Sequence, residues 1–152
     1  MAVMSGLELV EDRLNALINN LSAPARKEMA RNIAKKLRAS QQQNIKRYQA
    51  PDGTPFKPRK TQPVRSKKGR VKREMFTKLR TAKYMKAKAD SDSAMIEFTG
   101  RVLRMARVHH YGQRDWASRN GKEVLYEARP LLGINENELR LIEQVLIGRL
   151  SE

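Results

Sequence analysis

Hydrophobic positions in the first third of the chain recur at three- and four-residue steps, the spacing that lines one face of an α-helix. Over residues 5–21 they are Leu7, Val10, Leu14, Leu17, Ile18 and Leu21. Ser5 and Glu8 stand ahead of this stripe in capping-box spacing, where each side chain satisfies a backbone N–H left orphaned by the first turn. Ser22 and Pro24 interrupt the pattern and restart it, serine as a cap and proline in a first turn that does not need its missing donor. The second helix is expected to reach about Gln49, on a stripe of Met29, Ile33, Leu37, Ile45 and Tyr48, with Gln41, Gln42 and Gln43 weakening its far half. Residues 1–49 thus predict a helical hairpin whose spare apolar surface suits packing on a neighbouring subunit.

From residue 50 to 73 the periodicity stops. Pro51, Asp52-Gly53, Pro55, Pro58 and Pro63 set turns and extended backbone, and Ser66 to Gly69 continue the loop. Structureless loops beyond ~12–15 residues are usually functional or disordered, so this segment is expected to be ordered by a partner. Residues 74–152 then read as α+β. Met75 to Arg80 suggests a short helical turn, and Lys83–Ala89 with Ala94–Phe98 suggests a hairpin around Asp90 to Ser93. Thr99 is placed to cap a helix carrying Val102, Leu103 and Ala106 that stops at Tyr111-Gly112. A polar stretch through Trp116 to Gly121 precedes a third strand, Glu123–Glu127, and the turn at Ala128-Arg129-Pro130. Asn135 and Glu138 form another capping pair, opening a last helix with Leu139, Ile142, Leu146 and Leu150 on one face. The expected whole is one domain, 1–152: a helical hairpin, a basic proline-rich arm over 50–73, and a small mainly antiparallel sheet with flanking helices.

Charge changes this picture most. The chain of 152 residues has 32 Lys and Arg against 16 Asp and Glu, a net charge of +16. Between Lys57 and Lys88 stand fourteen basic residues and one acid, Glu74, so nearly all the excess lies in one fifth of the chain. A block of like charge repels itself until an anionic partner neutralises it. The candidate contacts are Lys57, Arg59, Lys60, Arg65, Lys67, Lys68, Arg70, Lys72 and Arg73. Two partners fit them. Nucleic acid would be held through its phosphates without sequence readout, with Phe56, Phe76 and Tyr84 as sparse stacking groups. An acidic protein face would serve equally, and no helix-turn-helix spacing, zinc finger or RNA-recognition signature decides between them. Phe56 and Trp116 are candidate interface anchors, being aromatics in polar surroundings, although core packing fits Trp116 as well.

Catalytic chemistry finds little support. His109-His110 invites an acid–base reading, but adjacent helical residues point about 100° apart and neither a third His nor a Cys completes a zinc site. A structural place at a helix C-terminus, where positive charge is welcome, explains them more simply. There is no G-x-S-x-G, H-E-x-x-H or P-loop, so no catalytic, metal or cofactor residue is assigned and the protein is not expected to be an enzyme. Absent cysteine excludes disulfides and suits a reducing cytoplasm. No apolar run approaches the ~18 residues of a membrane span, and no signal peptide is expected.

Four runs follow one another in a telling order: Pro51-Asp52-Gly53-Thr54-Pro55-Phe56-Lys57-Pro58, Met75-Phe76-Thr77-Lys78-Leu79-Arg80, Ala106-Arg107-Val108-His109-His110-Tyr111-Gly112 and Tyr126-Glu127-Ala128-Arg129-Pro130-Leu131-Leu132-Gly133. Together they resemble the virion morphogenesis family of tail completion proteins from temperate, contractile-tailed phages. The resemblance implies a late structural protein, made in the host cytoplasm and carried in the virion tail or neck, that finishes the tail for joining to a DNA-filled head. It further implies a homo-oligomeric ring such as a hexamer, contacts with other tail or neck proteins and with DNA passing through the ring, and no catalytic residues or cofactors. The alternative class is a basic nucleic-acid-binding protein without sequence readout.

Overall fold

A computed structural model describes residues 6–59, 75–116 and 121–151. Among the described residues, four helices and two small antiparallel ribbons make an α+β fold, as the sequence predicts. The helices α1 (Gly6–Asn19) and α2 (Ala23–Lys46) come first. Ser5, the expected cap of α1, lies outside the described residues. Ser22 caps α2, its side chain accepting from the Ala25 N–H at 3.3 Å. The centre of the fold is α2, packed against the hairpin β1 (Met85–Ala89) and β2 (Ala94–Phe98) and against α4 (Glu136–Leu150). Its buried stripe of Met29, Ala30, Ala34, Leu37, Gln41 and Ile45 advances from Ala30 by the three- and four-residue steps that keep side chains on one helical face.

That stripe differs from the expected one in its second half. Gln41 is buried, and the helix ends at Lys46 rather than Gln49 because Tyr48 turns left-handed, φ 57°. The chain then folds back on itself. Gln49 bridges Pro55, the Ala50 N–H donates to the Thr54 carbonyl at 2.8 Å and the Phe56 N–H to the Tyr48 carbonyl at 2.7 Å. Asp52 accepts from the Thr54 N–H at 2.9 Å, which lowers its pKa below the usual carboxylate value. The first part of the proline-rich segment is therefore built into the body, with Ala50 and Phe56 in the core.

The β1–β2 register pairs Met85 with Phe98 and Ala89 with Ala94. The first strand starts at Met85 rather than Lys83 because Thr81 to Tyr84 form a turn, the N–H groups of Tyr84 and Met85 both donating to the Thr81 carbonyl. Asp90 closes the hairpin by accepting from the Asp92 and Ser93 N–H groups, each at 2.7 Å. Next comes α3 (Gly100–Tyr111), entered from Thr99, whose backbone is extended as a cap requires but whose side chain makes no cap hydrogen bond. It ends at Gly112, φ 69°, where a Cβ would lie 2.7 Å from the Ala128 nitrogen. Only glycine fits both the left-handed backbone and that approach.

The expected single sheet is instead two ribbons. Residues read as a polar loop form β3 (Arg114–Trp116), which pairs with β4 (Glu123–Leu125), a strand shorter than expected. Three residues give too short a pattern to show alternation, so only the partner strand reveals β3. The last helix opens with the predicted capping box: the Glu138 N–H donates to Asn135 Oδ1 at 2.9 Å and the Asn135 N–H to Glu138 Oε2 at 2.7 Å. Leu139, expected on the apolar face, is exposed, and the one fully buried side chain of α4 is Glu138.

Candidate functional site: the root of the basic segment

Most of the candidate cations, Lys60, Arg65, Lys67, Lys68, Arg70, Lys72 and Arg73, lie outside the described residues. The two ends of their segment are well defined, and they meet. Phe56, the last core residue before the segment, stacks edge-on against Phe76, just after it, with ring centroids 5.8 Å apart. Phe76 continues to His109 of α3 at 5.1 Å, and His109 to Tyr126 at 4.9 Å. Edge-to-face geometry is the favoured arrangement of such rings. Phe56 and Phe76, one before and one after the basic segment, thus stand side by side on the body.

Arg129 holds the start of this segment. It is only 7% exposed, its Nε donates to the Lys57 carbonyl at 2.9 Å and its Nη2 to the Pro58 carbonyl at 3.2 Å. Its own N–H donates to the His109 carbonyl at 2.7 Å, satisfying an acceptor that the end of α3 leaves open. Burial lowers the Arg129 pKa, with Glu127 acting in the opposite direction, yet a guanidinium stays charged at any physiological pH. Lys57, the first candidate contact, pairs with Glu127 at 3.0 Å while remaining exposed. Arg59 is the only other candidate cation among the described residues.

The two histidines sit in the last turn of α3, but positive charge is not what the site favours. Burial, then the Arg129 guanidinium, pushes His109 below the ordinary imidazole value, with Asp115 opposing. Burial does the same to His110, whose Nδ1 accepts from the Leu131 N–H at 3.0 Å. Both are held towards the neutral form, and His109 serves as an aromatic spacer between Phe76 and Tyr126. Among the described residues no three His, Asp or Glu side chains come together as a metal site.

The two candidate anchors part company. Phe56 is 7% exposed within the core, which removes it from any interface and gives it the role of pinning the loop. Trp116 is 59% exposed on β3, beside Asp115, which pairs with Arg104 at 2.8 Å. Arg129 and Tyr126 escaped sequence reasoning; the only signal was their presence in the last of the four runs.

The phage virion morphogenesis family model matches residues 6–151, nearly the whole chain. The chain belongs to this family. Among its relatives, the tail completion protein S of Escherichia phage P2 is 40% identical over 149 residues, covering 97% of this chain and 99% of that protein. No solved structure is significantly similar. The four runs that carried the family resemblance acquire a common place in the fold: Phe56, Phe76, His109 and Tyr126 come one from each run and form the single chain of rings beneath the basic segment. In this member of the virion morphogenesis family, motifs far apart in sequence are joined at that root.

Proposed function

We propose that this protein completes the phage tail and supports head-to-tail joining, acting as a ring of copies through protein contacts rather than catalysis. The likeness to a tail completion protein over almost its full length carries the reading. The ring would close by head-to-tail contacts between copies. Each copy would contribute one basic loop, closed at its base by Phe56 and Phe76, so that the ring carries a positive collar. The collar grips acidic faces of tail or connector proteins.

One observation favours protein over nucleic acid as the partner. The aromatics interleaved with the basic residues are committed to the body: Phe56 is buried in the core, and Phe76 and Tyr84 pack against it. Base stacking, which contributes ~1–3 kcal/mol per base in single-strand binders, therefore has no platform among them. The virion tail or neck is the corresponding location.

The test is a charge reversal of Lys67, Lys68, Arg70, Lys72 and Arg73 in the phage, followed by electron microscopy of lysates. Folded protein with free heads and unjoined tails is the expected outcome. Normal joining would refute the collar. Salt-dependent DNA binding by an isolated monomer, with no assembly, would favour the nucleic-acid reading instead.

A further inference from the structure

Positive charge is not confined to the loop. The helix α2 carries seven Lys and Arg against one acid, Glu28. Its inner stripe packs on the β1–β2 hairpin and on α4, which leaves its outer face to solvent. At ~100° per residue, Arg31, Lys35 and Lys46 fall within about 60° of one another on that outer face. Asn32, Gln43 and Lys36 continue it round the helix, and all six side chains are exposed. Asn32 and Lys36 also border a hollow whose far wall is Gln144, Gly148 and Arg149 of α4. From Arg31 to Lys46 the array runs roughly 22 Å along one continuous helix.

Two features say what this face can hold. Among the described residues, none of Arg31, Lys35, Lys36 and Lys46 pairs with a carboxylate. Glu28 lies on the same arc, but Arg149 pairs with it at 3.4 Å, so it leaves those four cations uncancelled. The face also lacks an apolar anchor, for no large hydrophobic side chain of α2 is exposed. The arginines of α3 differ in this respect, since Met105 and Tyr111 are exposed on the same helix. Protein interfaces draw most of their energy from desolvated aromatic and apolar anchors. A row of hydrated cations with amide donors between them suits a lattice of phosphates, where the gain comes from released counterions. With no aromatic ring on the face there is nothing for unpaired bases to stack on, so the fitting form is a duplex.

We infer that the outer face of α2 binds double-stranded nucleic acid through its phosphates, without reading sequence. The face shares no residue with the basic loop, so one copy can hold protein through the loop and a duplex through α2. The inference needs only a single copy and stands whether or not copies form a ring.

The test uses the full-length protein and a fluorescein-labelled DNA duplex of mixed sequence, with binding followed by anisotropy across a range of salt concentrations. Wild type is expected to bind, with an affinity that falls linearly with salt on logarithmic axes. Arg31→Gln, Lys35→Gln, Lys36→Gln and Lys46→Gln together should weaken binding roughly tenfold or more and reduce that slope by about 3–4, near one for each lost phosphate contact. Lys67→Gln, Lys68→Gln, Arg70→Gln and Lys72→Gln together remove the same charge from the loop and should change the slope by less than about one. All four α2 positions are exposed, so circular dichroism should show unchanged helix content. Should the fourfold variant still misfold, Lys35→Gln alone should lower the slope by about one. Equal losses in the α2 and loop variants would show that binding follows net charge, and would overturn the assignment to α2. A wild type that leaves the duplex unbound would do the same. Displacement of the labelled duplex by polyglutamate as readily as by unlabelled duplex would give the face to an acidic protein instead.

Discussion

Glu138 and Arg129 are both buried charged side chains, yet the groups that satisfy them differ in kind. Glu138, at 0% exposure, sits where α4 meets α2. Its Oε1 accepts from Ser40 at 2.9 Å, Gln41 at 2.9 Å and Asn44 at 3.2 Å, and its Oε2 from the Asn135 N–H. Gln41 also receives the Gly133 N–H at 3.3 Å, and Asn135 donates to the Pro51 carbonyl at 2.7 Å. This polar knot ties two helices and two loops, and every member faces inward. Arg129 instead bonds to the carbonyls of Lys57 and Pro58, exposed residues at the start of the basic segment. One charge fixes how the helices pack; the other fixes where the basic loop is rooted. The two buried charges therefore hold different parts of the molecule, and substitutions should separate them.

Removing the acceptor at the knot gives the largest effect. Glu138→Ala strands four donors, and an unsatisfied buried donor costs ~1–3 kcal/mol. Allowing for relaxation, about 3–4 kcal/mol of folding stability should be lost in chemical denaturation. Glu138→Gln, which keeps the shape but offers fewer acceptor sites to a donor-lined pocket, should lose roughly half as much. A neutral result for the alanine variant would mean that the knot follows the packing rather than directing it.

Arg129→Ala comes next, at about 1–3 kcal/mol for two carbonyls left without a donor. Its distinctive sign is local. Amide exchange at residues 56–59 should accelerate while the amides of α2 and α4 stay protected, and equal acceleration in all three places would erase the contrast with Glu138.

A smaller effect concerns acid. His109 and His110 have folded pKa values below the unfolded value of ~6.5, so the unfolded chain takes up protons first. Their contribution is present above about pH 6.5 and is lost as pH falls through the folded values. Both side chains are partly exposed, so solvent screening keeps the slope well below the ~1.4 kcal/mol per pH unit of full decoupling. His109→Phe preserves the ring contacts and should flatten the decline between pH 6.5 and 5; an unchanged slope would place the acid sensitivity elsewhere. Smallest of all, Glu11→Lys with Asp12→Lys should alter chemical stability by no more than ~0.5 kcal/mol, as exposed substitutions usually do.

Regular spacing made much of this legible. The start of α2, the capping box of α4, the β1–β2 hairpin and the glycine stop of α3 were all readable because each rests on neighbours within a few residues. What sequence alone could not show depends on partners far along the chain. Gln41 read only as a weakening of the apolar stripe, because nothing near it shows Glu138 almost a hundred positions later. Leu139 looked like core and Glu138 like a cap, whereas the fold buries the glutamate and exposes the leucine. Arg129 looked like a turn residue before a proline, since the carbonyls it holds belong to another segment. The charge of the basic block was plain from composition, but the closure of its base depends on Phe56 meeting Phe76, which no local pattern encodes.

That closure sets a limit on distance. A free tail could stretch its whole contour toward a target, but a segment fastened at both ends can extend only half of it. Counting about ten residues from the nearer end at ~3.3–3.6 Å apiece, no backbone atom between Phe56 and Phe76 can lie much more than ~35 Å from those two residues, whatever path the chain takes. Any contact proposed for these cations must come within that radius plus the length of one side chain, and lengthening the segment would widen the circle without adding a single charge.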